Sequence, residues 1–471
     1  MLSPSTKDRV LHIANHGLEG YVWDMAEIKF EILMSGQKAI DLWLQGRDKW
    51  NQWVADNPNS RFDFFGMNFE EELIKANRAK NGQRITIDFS GFIFPLGGII
   101  IEQSKITNAN FKETIFNGSA DFVCTEFTGN VDFKKARFTK HAGFHKAKFT
   151  GDVSFSETIF QEKSYFNKAK FFEKADFLNT IFTGNANFKM ATFKNDALFL
   201  NTVFNEDATF MFAQLGGEII FERIKFKESA FFTNLQNIKN IKSFSFKYSS
   251  FDGPLAISSQ ETFPCLIDLT NTKTSHHVSL AGVNCALPRK THRVSRLFPN
   301  GDWFTQKTII DKEDIERARR LKKLAEDNKD HDKAKDFFVM ELQAKRKFGR
   351  NPYTFLIYPE FLYEKLSNYG RSIRLPLDRF LDVMVFFMGI YWGISYNIDN
   401  WFKAFIFSAA QMLAFIPSSR DARTSGKELF CQNIDKCQIP DWMYILTFTQ
   451  SLIALILLFL LGLGMRHKFR I

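Results

Sequence analysis

The sequence of 471 residues has little cysteine and no recognisable export signal. Five cysteines are too few for a disulfide framework in the main domain. They are Cys124, Cys265, Cys285, Cys431 and Cys437. Met1 to Lys7 is followed by charged, helix-forming sequence without the apolar core of a secretory signal. We therefore expect the large N-terminal part of the chain to stay in the cytoplasm.

Catalytic motifs are also missing. The sequence has no glycine-rich phosphate loop. His276 and His277 stand between Cys265 and Cys285, but this spacing matches no zinc site and is more typical of turn residues. Carboxylates recur along the middle of the chain because a repeat leaves those positions exposed. The sequence therefore predicts a protein that is not an enzyme and that needs no cofactor or metal.

Phenylalanine, by contrast, is abundant, with 55 residues. From Asn110 to Phe232 it recurs at steps that alternate between five and six positions. Two steps make one repeat of 11 residues, and two repeats make one period of 22 residues. The series is Phe111, Phe116, Phe122, Phe127, Phe133, Phe138, Phe144, Phe149, Phe155, Phe160, Phe166, Phe171, Phe177, Phe182, Phe188, Phe193, Phe199, Phe204 and Phe210. A small or β-branched residue usually stands two positions earlier, as at Ala109 and Thr114.

This spacing fits neither a helical face, which recurs at 3 and 4, nor an amphipathic strand, which recurs at 2. A short period sustained over many units is typical of a solenoid, in which each turn buries its apolar row against the next. Four corners close one coil of about 22 residues, and coils stacked roughly 4.8 Å apart place Phe111 over Phe133 and Phe155. The pattern predicts a mainly β fold, a right-handed quadrilateral β-helix with a phenylalanine core.

The repeat unit carries a specific resemblance. Written as Ala-Asp-Phe-x-x-Thr-x-Phe, as from Ala120 to Phe127, it resembles the pentapeptide-repeat family in its phenylalanine-centred form. The resemblance covers nearly half of the chain and implies a β-helix over residues 61–288. Because such solenoids are scaffolds with different surfaces, the resemblance implies little about function.

Residues 1–60 are predicted to form a helical cap on the first coil. Trp50 and Trp53 are three residues apart on one helical face, where they would cover a sheet edge that is otherwise open. Similar Trp-Asn-x-Trp segments precede the solenoid in pentapeptide-repeat proteins. A binding role for the two tryptophans is the less favoured alternative.

Two irregularities are expected near the start of the solenoid. A polar insertion of roughly residues 70–83 interrupts the ladder of rings. The ladder is then predicted to resume with Phe89, Phe94 and Ile100 at its corners.

Residues 289–359 are predicted to form a basic helical adaptor, beginning as a helical hairpin. Residues 86–287 hold about 21 basic and 20 acidic side chains, whereas residues 289–350 hold about 18 and 11. The net charge of +10 therefore lies largely outside the solenoid. Two interpretations of the basic helix remain open: a solvated face, or a surface held near anionic lipid headgroups.

Residues 360–379 are predicted to be a juxtamembrane segment. Its Tyr369-Gly370-Arg371-Ser372 resembles a segment that joins pentapeptide repeats to membrane segments in a bacterial subgroup of the family. The resemblance implies an architecture rather than an activity.

Residues 380–471 are predicted to be a membrane domain with three apolar segments. Residues 380–396 and 442–465 are expected to span the bilayer, and residues 401–417 form either a short re-entrant segment or a third span. Basic residues flank the first segment on its N-terminal side and the last on its C-terminal side, which favours two spans with both flanks in the cytoplasm.

Four residues of this domain are candidates for a special role. Asp382 and Lys403 are ionisable side chains near segment ends, where they either reach the membrane surface or face a bundle interior. Cys431 and Cys437 lie in a loop expected to face the periplasm, where they either pair as a disulfide or stay as two unrelated thiols.

Three functions fit these features. The favoured one is a membrane-anchored, non-catalytic interaction scaffold or sensor at the cytoplasmic face of the bacterial inner membrane, with the lipid bilayer and an unknown protein as partners. The alternative is a two-span ion channel, which requires a homo-oligomer, although residues 401–417 lack a potassium-type carbonyl filter. DNA mimicry is disfavoured because the solenoid is nearly neutral, and no nucleic acid is expected as a partner.

Overall fold

The computed structural model describes residues 32–76, 85–293, 305–345, 359–395, 397–413, 416–417, 419–425, 427–430 and 441–469. The predicted cap residues before 32, the end of the polar insertion and the pair Cys431 and Cys437 lie outside these residues. The chain divides into two compact units, one comprising residues 1–290 and 309–346, the other residues 291–308 and 347–471. Each unit is described by itself.

The first unit is a parallel β-solenoid with four faces, each a sheet that runs along its length. We number the faces in the order in which the chain visits them.

The strands of face 1 are Thr86–Asp88, Asn108–Asn110, Val131–Asp132, Val153–Ser154, Ala175–Asp176, Ala197–Leu198, Gly217–Ile220 and Ile241–Ser245. Those of face 2 are Ile93–Phe94, Ile115–Phe116, Arg137–Phe138, Ile159–Phe160, Ile181–Phe182, Val203–Phe204, Lys225–Phe226, Ser250–Phe251 and Lys273–Thr274.

The strands of face 3 are Leu33–Ser35, Arg61–Asp63, Ile99–Ile100, Ala120–Asp121, Ala142–Gly143, Ser164–Tyr165, Ala186–Asn187, Ala208–Thr209, Ala230–Leu235, Leu255–Ser259 and Val278–Gly282. Those of face 4 are Lys105–Ile106, Glu126–Phe127, Lys148–Phe149, Lys170–Phe171, Thr192–Phe193 and Gln214–Leu215. Arg289–Arg293 and Thr305–Ile309 form a separate two-stranded sheet.

The rings of successive coils stack on one another. Phe133 lies 4.7 Å from Phe111 and 4.9 Å from Phe155, centroid to centroid, with nearly parallel planes. Neighbouring stacks meet edge to face, as for Phe122 and Phe133 at 5.7 Å. Each phenylalanine of the predicted core series is at most 2% exposed. These are the favoured geometries of aromatic pairs, so the repeat spacing produces a continuous aromatic core.

Buried threonines join the coils inside the core. Thr158 Oγ1 donates a hydrogen bond to the Phe133 carbonyl at 2.7 Å, and Thr180 Oγ1 does the same to Phe155. Thr202 Oγ1 continues the column by donating to Phe177. A hydroxyl buried without a partner is costly, so these bonds explain why a polar residue is tolerated in the prism.

Every second corner of the regular coils places a non-glycine residue in the left-handed region. The residue two positions after the ring, such as Lys135, Lys146, Glu157 and Lys168, has φ between 55° and 60°. The same conformation recurs once per half coil along the regular part of the solenoid. It closes a tight turn whose hydrogen bond runs from the Ala136 amide to the Phe133 carbonyl.

The start of the ladder differs from the sequence prediction by one residue. Ile99 and Ile101 belong to the core cluster, whereas Ile100 does not. Ile99 pairs with Ala120, so this coil has one residue fewer than the regular repeat, and the prediction of Ile100 as a corner is wrong. The glycines of Gly97-Gly98 lie here against the backbone of neighbouring coils, where a Cβ would meet carbonyl oxygens at 2.2 and 2.4 Å.

Helices cover the first coils. Helices α1 (Gln37–Leu44) and α2 (Arg47–Asp56) precede the strand Arg61–Asp63, and α3 (Phe69–Lys75) fills part of the predicted polar insertion. The aromatic Trp43 side chain stacks on Phe89 at 5.4 Å. The helices therefore share the core of the solenoid instead of forming a separate one.

A helical hairpin covers the last coils. Helices α4 (Asp314–Asp327) and α5 (His331–Ala344) bury Leu321, Leu324 and Phe337 in the same core cluster as the rings. The Asn328 amide nitrogen donates to the Val278 carbonyl at 2.7 Å on face 3. The hairpin thus packs on the solenoid within the first unit.

The second unit is helical. Its helices are α6 (Pro359–Ser367), α7 (Arg374–Ile394), α8 (Trp401–Met412), α9 (Ser419–Ser425), α10 (Lys427–Phe430) and α11 (Asp441–Phe469). A single-turn 3₁₀ helix, Ile398–Asn400, joins α7 to α8. Between α6 and α7, Asn368, Tyr369 and Gly370 take left-handed conformations, so the predicted juxtamembrane segment contains a tight reversal.

Candidate functional site

The second unit exposes an unusual amount of apolar surface. Side chains of α11 such as Ile445, Phe448 and Phe459 are 65% to 68% exposed, and Phe386 of α7 is 65% exposed. Within α11, residues Asp441–Arg466 form an apolar segment of 26 residues. Its most apolar window has a mean hydropathy of 2.3, and only 22% of that window is buried. Among the described helices, α11 is the one long and apolar enough to cross a membrane.

Helices α7 and α8 differ from the predicted spans. Helix α7 begins at Arg374 and carries four charged residues in its first turns, where Arg374 pairs with Asp378 and Arg379 with Asp382. Helix α8 has 12 residues, which corresponds to about 18 Å and cannot cross a hydrocarbon core of about 30 Å. Helix α8 by itself is therefore shorter than a full crossing.

A buried polar cluster joins α7, α8 and α11. Gln450 of α11 is 0% exposed; its Oε1 accepts a hydrogen bond from the Tyr391 hydroxyl of α7 at 2.8 Å. Its Nε2 donates to the Oγ and the carbonyl oxygen of Ser408 in α8 at 2.8 and 3.0 Å. Ser408 Oγ in turn donates to the Met384 carbonyl of α7 at 2.7 Å. One side chain of α11 thus binds both other helices.

Aromatic packing surrounds this cluster. The Tyr391 ring meets Phe407 edge to face at 4.9 Å, and both rings contact Phe430. Phe387 and Ala404 complete the buried core of the unit. The polar atoms of the cluster therefore satisfy one another inside the packed helices.

Asp382 and Lys403 occupy separate positions. The exposed Asp382 carboxylate accepts a hydrogen bond from Arg379 Nη1 at 2.8 Å, one turn away on the same helix. Lys403 lies in the first turn of α8 with an exposed side chain. The geometry therefore associates Asp382 with its own helix and not with the buried cluster.

Trp50 and Trp53 lie on the first coil. Trp50 is fully buried, stacks on Phe62 at 4.0 Å, and donates its indole N–H to the Ile93 carbonyl at 2.8 Å. Trp53 meets the edge of Phe62 at 5.4 Å. Between them, Asn51 accepts a hydrogen bond from the Ile93 amide and donates one to the Gly91 carbonyl. The segment thereby satisfies open backbone groups at the edge of face 2.

Several basic residues of α4 bind protein groups. Arg317 forms ion pairs with the buried carboxylates Asp268 and Asp314 at 2.9 Å each. Arg320 donates to the Thr272 carbonyl at 2.8 Å, and Lys322 pairs with Glu341 at 2.8 Å. Arg317 and Arg320 therefore attach the hairpin to the last coil, whereas Lys322 joins α4 to α5. Neither the solvated nor the lipid-facing interpretation described these roles.

Two buried ionisable groups have shifted pKa values: Asp121 in a strand of face 3, and His145 on the corner between faces 3 and 4. Asp121 is 5% exposed, and burial together with the nearby Glu102 raises its pKa to about 8. His145 is 2% exposed, and burial lowers its pKa to about 4, assisted by the charge of Lys146. Their placement follows from the coil register and not from any motif.

The geometry defines a parallel β-solenoid with a four-sided aromatic core and helical ends. Residues 101–148, 144–189 and 177–225 match the family described as pentapeptide repeats (9 copies). Over these residues the chain resembles pentapeptide-repeat proteins, and the predicted solenoid fold is confirmed. The match does not include residues 360–379 or the helices that follow. No curated protein and no solved structure matches the chain.

Sequence reasoning missed the buried polar cluster. The signal was present as Thr449-Gln450-Ser451, a polar break inside the otherwise apolar α11. Pairing that break with Ser408 and Tyr391 required the packing of three helices, which periodicity does not provide. Within the described residues no group of His, Cys, Asp and Glu side chains has the arrangement of a metal site.

Proposed function

We propose that the protein is a membrane-anchored, non-catalytic interaction scaffold or sensor at the cytoplasmic face of a bacterial inner membrane. The observation that carries this proposal is α11, a long apolar helix with exposed outer side chains and a polar residue turned inward. An apolar exterior around a satisfied polar interior is the arrangement that a bilayer requires. The pentapeptide-repeat solenoid supplies a rigid surface for a protein partner.

The proposal includes two membrane crossings. Helix α11 is one. We place the other at α7, which has 21 residues and a length of about 31 Å, and of which the 12 residues after Asp382 carry no charge. The Arg–Asp pairs in its first turns would lie in the headgroup region, where charged side chains reach water. Helix α8 would enter the membrane partway and be held there by Ser408 and Gln450.

Charge placement supports the orientation. Lys365 and Arg371 precede α7 and Arg379 lies in its first turns, while Arg466 and Lys468 lie in the last turns of α11. Cytoplasmic flanks carry an excess of such residues, so both ends would face the cytoplasm. The solenoid, which precedes the first crossing, would then be cytoplasmic as well.

The buried cluster favours an anchor over a pore. Gln450, Ser408 and Tyr391 bind one another within one chain, which leaves none of these groups to line a conducting path. The channel alternative requires polar groups that face an oligomer axis, and the described part of the second unit offers only exposed Asp382 and Lys403 as ionisable candidates from the apolar segments.

The test begins with alkaline extraction of membranes that contain the full-length protein. The anchor proposal predicts that the protein stays with the membrane and that its solenoid is digested by protease only from the cytoplasmic side. Release by alkali would refute the anchor. Ion flux through the reconstituted full-length protein would favour the pore instead.

A further inference from the structure

A cluster of lysines stands out on the corner between faces 3 and 4. Lys148 and Lys170 are direct neighbours in adjacent strands of face 4. Lys168 occupies the left-handed position of the same corner, and Lys189 lies one coil further on. We call Lys148, Lys168, Lys170 and Lys189 the basic ridge. With coils roughly 4.8 Å apart, the four ammonium groups share a narrow strip.

The basic ridge lacks the close ion pairs that several other lysines of the solenoid form. Lys112 faces Asp132 at 3.2 Å and Lys140 faces Glu162 at 2.8 Å, each in a neighbouring coil. On the ridge, Lys148 reaches Glu126 only at 3.9 Å. The structure gives Lys168, Lys170 and Lys189 no ion pair with any described residue. Like charges in direct register are destabilising, so an anionic partner would relieve a cost built into the coil.

The ridge ends in apolar side chains held in an unusual conformation. Met190 and Phe212 follow Lys168 at the same corner in the next two coils, with φ of 58° and 57°. Met190 is 45% exposed. Left-handed backbone is uncommon for such large side chains, and it directs both outward from the convex edge of the prism.

The shape of the ridge restricts its partner. Small ligands bind in concave pockets, whereas this corner projects from a four-sided prism. Adjacent basic and apolar side chains on a projecting edge fit a surface that is anionic at its face and apolar beneath. We propose that the basic ridge, with Met190 and Phe212, contacts the headgroup region of a bilayer that contains anionic lipid.

The proposal is separable from the anchor proposed above. It rests on surface charge and on side chains of the solenoid, not on α7 or α11. The ridge would contact an anionic membrane whether or not the helices of the protein cross that membrane.

The experiment measures lysine acetylation in the full-length protein placed in lipid nanodiscs, which leave both sides of the bilayer accessible. One set contains phosphatidylcholine alone, and the other contains phosphatidylcholine with phosphatidylglycerol. Peptide mass spectrometry compares the four ridge lysines with Lys112 and Lys225. These controls have side chains 51% exposed, close to the 50% of Lys148.

We expect severalfold slower acetylation of the ridge lysines with phosphatidylglycerol, and unchanged rates at the two control lysines. The protection should disappear at high salt, since the screening length falls from about 10 Å at 0.1 M to about 3 Å at 1 M. Equal ridge rates in the two lipids would overturn the proposal. Protection of the control lysines to the same degree would also overturn the proposal. Protection of the ridge lysines by polyglutamate but not by phosphatidylglycerol would overturn it as well.

A pair of variants tests the apolar end. Met190→Asp should reduce the protection, while Tyr248→Asp should not, although Tyr248 is 53% exposed and also left-handed at φ 62°. If Met190→Asp alters the circular dichroism spectrum, the protection is measured in Lys170→Glu instead, and it should be reduced there too. Alkaline extraction of the same preparations shows whether the anchor is inserted, so ridge and anchor can fail independently.

Discussion

The buried amide of Gln450 offers a sharp test of how the helical unit holds together. Gln450→Leu keeps a side chain of similar volume but makes it apolar, so it removes one hydrogen bond to α7 and two to Ser408 of α8. It also leaves the Tyr391 hydroxyl without its partner. The change therefore affects two helix–helix contacts at once.

The magnitude follows from these contacts. Interhelical hydrogen bonds in membrane proteins contribute about 0.6 kcal/mol on average and up to about 1.7 kcal/mol. A buried hydroxyl left unsatisfied costs roughly 1–3 kcal/mol. We expect Gln450→Leu to lower the unfolding free energy by about 2–3 kcal/mol, and Tyr391→Phe by about 1 kcal/mol. The double variant should lose less than the sum, with a coupling of about 1 kcal/mol.

The assay is unfolding in mixed micelles as detergent denaturant increases, monitored by tryptophan fluorescence. Thr447→Leu is the matched control, since Thr447 is polar but bonds within its own helix, to the Tyr444 carbonyl at 3.0 Å. A coupling of zero between Tyr391 and Gln450, or a variant more stable than the parent, would refute the assigned contacts.

Three further predictions concern the solenoid and are checked by hydrogen exchange and by unfolding at several pH values. Phe166→Ala removes a fully buried ring stacked on both sides and should cost about 3–5 kcal/mol, whereas Phe166→Leu should cost markedly less; equal exchange rates in the flanking coils would contradict this. Arg317→Met strips the partner from buried Asp268 and should destabilise the hairpin by about 3–5 kcal/mol, while Lys323→Met, on the exposed side of α4, should have little effect. Asp121, with its pKa raised from 3.8 to about 8, binds a proton in the folded state that the unfolded state releases, so its contribution to stability falls as pH rises from about 4 to about 8. Asp121→Asn should abolish that decline, up to about 5 kcal/mol, and an unchanged pH profile would disprove the burial of this group.

His145 acts in the opposite direction at lower pH. Its folded-state pKa of about 4 lies below the usual 6.5, so the unfolded state binds the extra proton between these values. Stability associated with His145 is therefore lost as pH falls from about 6.5 to about 4. Between about pH 4 and 6.5 the change in stability from His145 offsets the change from Asp121. The effect of Asp121→Asn is therefore measured most clearly between about pH 6.5 and 8.

The aromatic core could be predicted from the sequence because its physical cause is local and repeated. A ring at every fifth or sixth position leaves one way to bury all rings, and Phe133 and Phe155 occupy the stack expected of them. The register failed by one residue at Ile100 because the segment with Gly97-Gly98 has one residue more than its counterpart in the next coil. Phe94 and Ile99 are five positions apart, whereas their partners Phe116 and Ala120 are four apart. A single inserted residue is invisible to a period that is averaged over many coils.

Features that depend on neighbouring coils were not predictable in this way. The solenoid is nearly neutral as a whole, and only the coil register shows that Lys148 and Lys170 are adjacent. Likewise, the charges of α4 suggested an exposed face, but Arg317 is drawn to Asp268 by the packing of the hairpin on the last coil. Composition gives the number of charges in a segment, whereas the tertiary structure determines which groups those charges contact.

The left-handed corner that recurs once per half coil has an implication for how such a chain can change in length. Adding or removing one whole coil leaves each side chain above its former neighbour and extends or shortens the prism by about 4.8 Å. Adding half a coil would keep the corners intact but exchange face 1 with face 3 and face 2 with face 4 for all that follows. Such a duplication would therefore preserve the fold while turning the basic ridge to the opposite side of the coils that precede it, so surface function constrains the length of this protein more tightly than folding does.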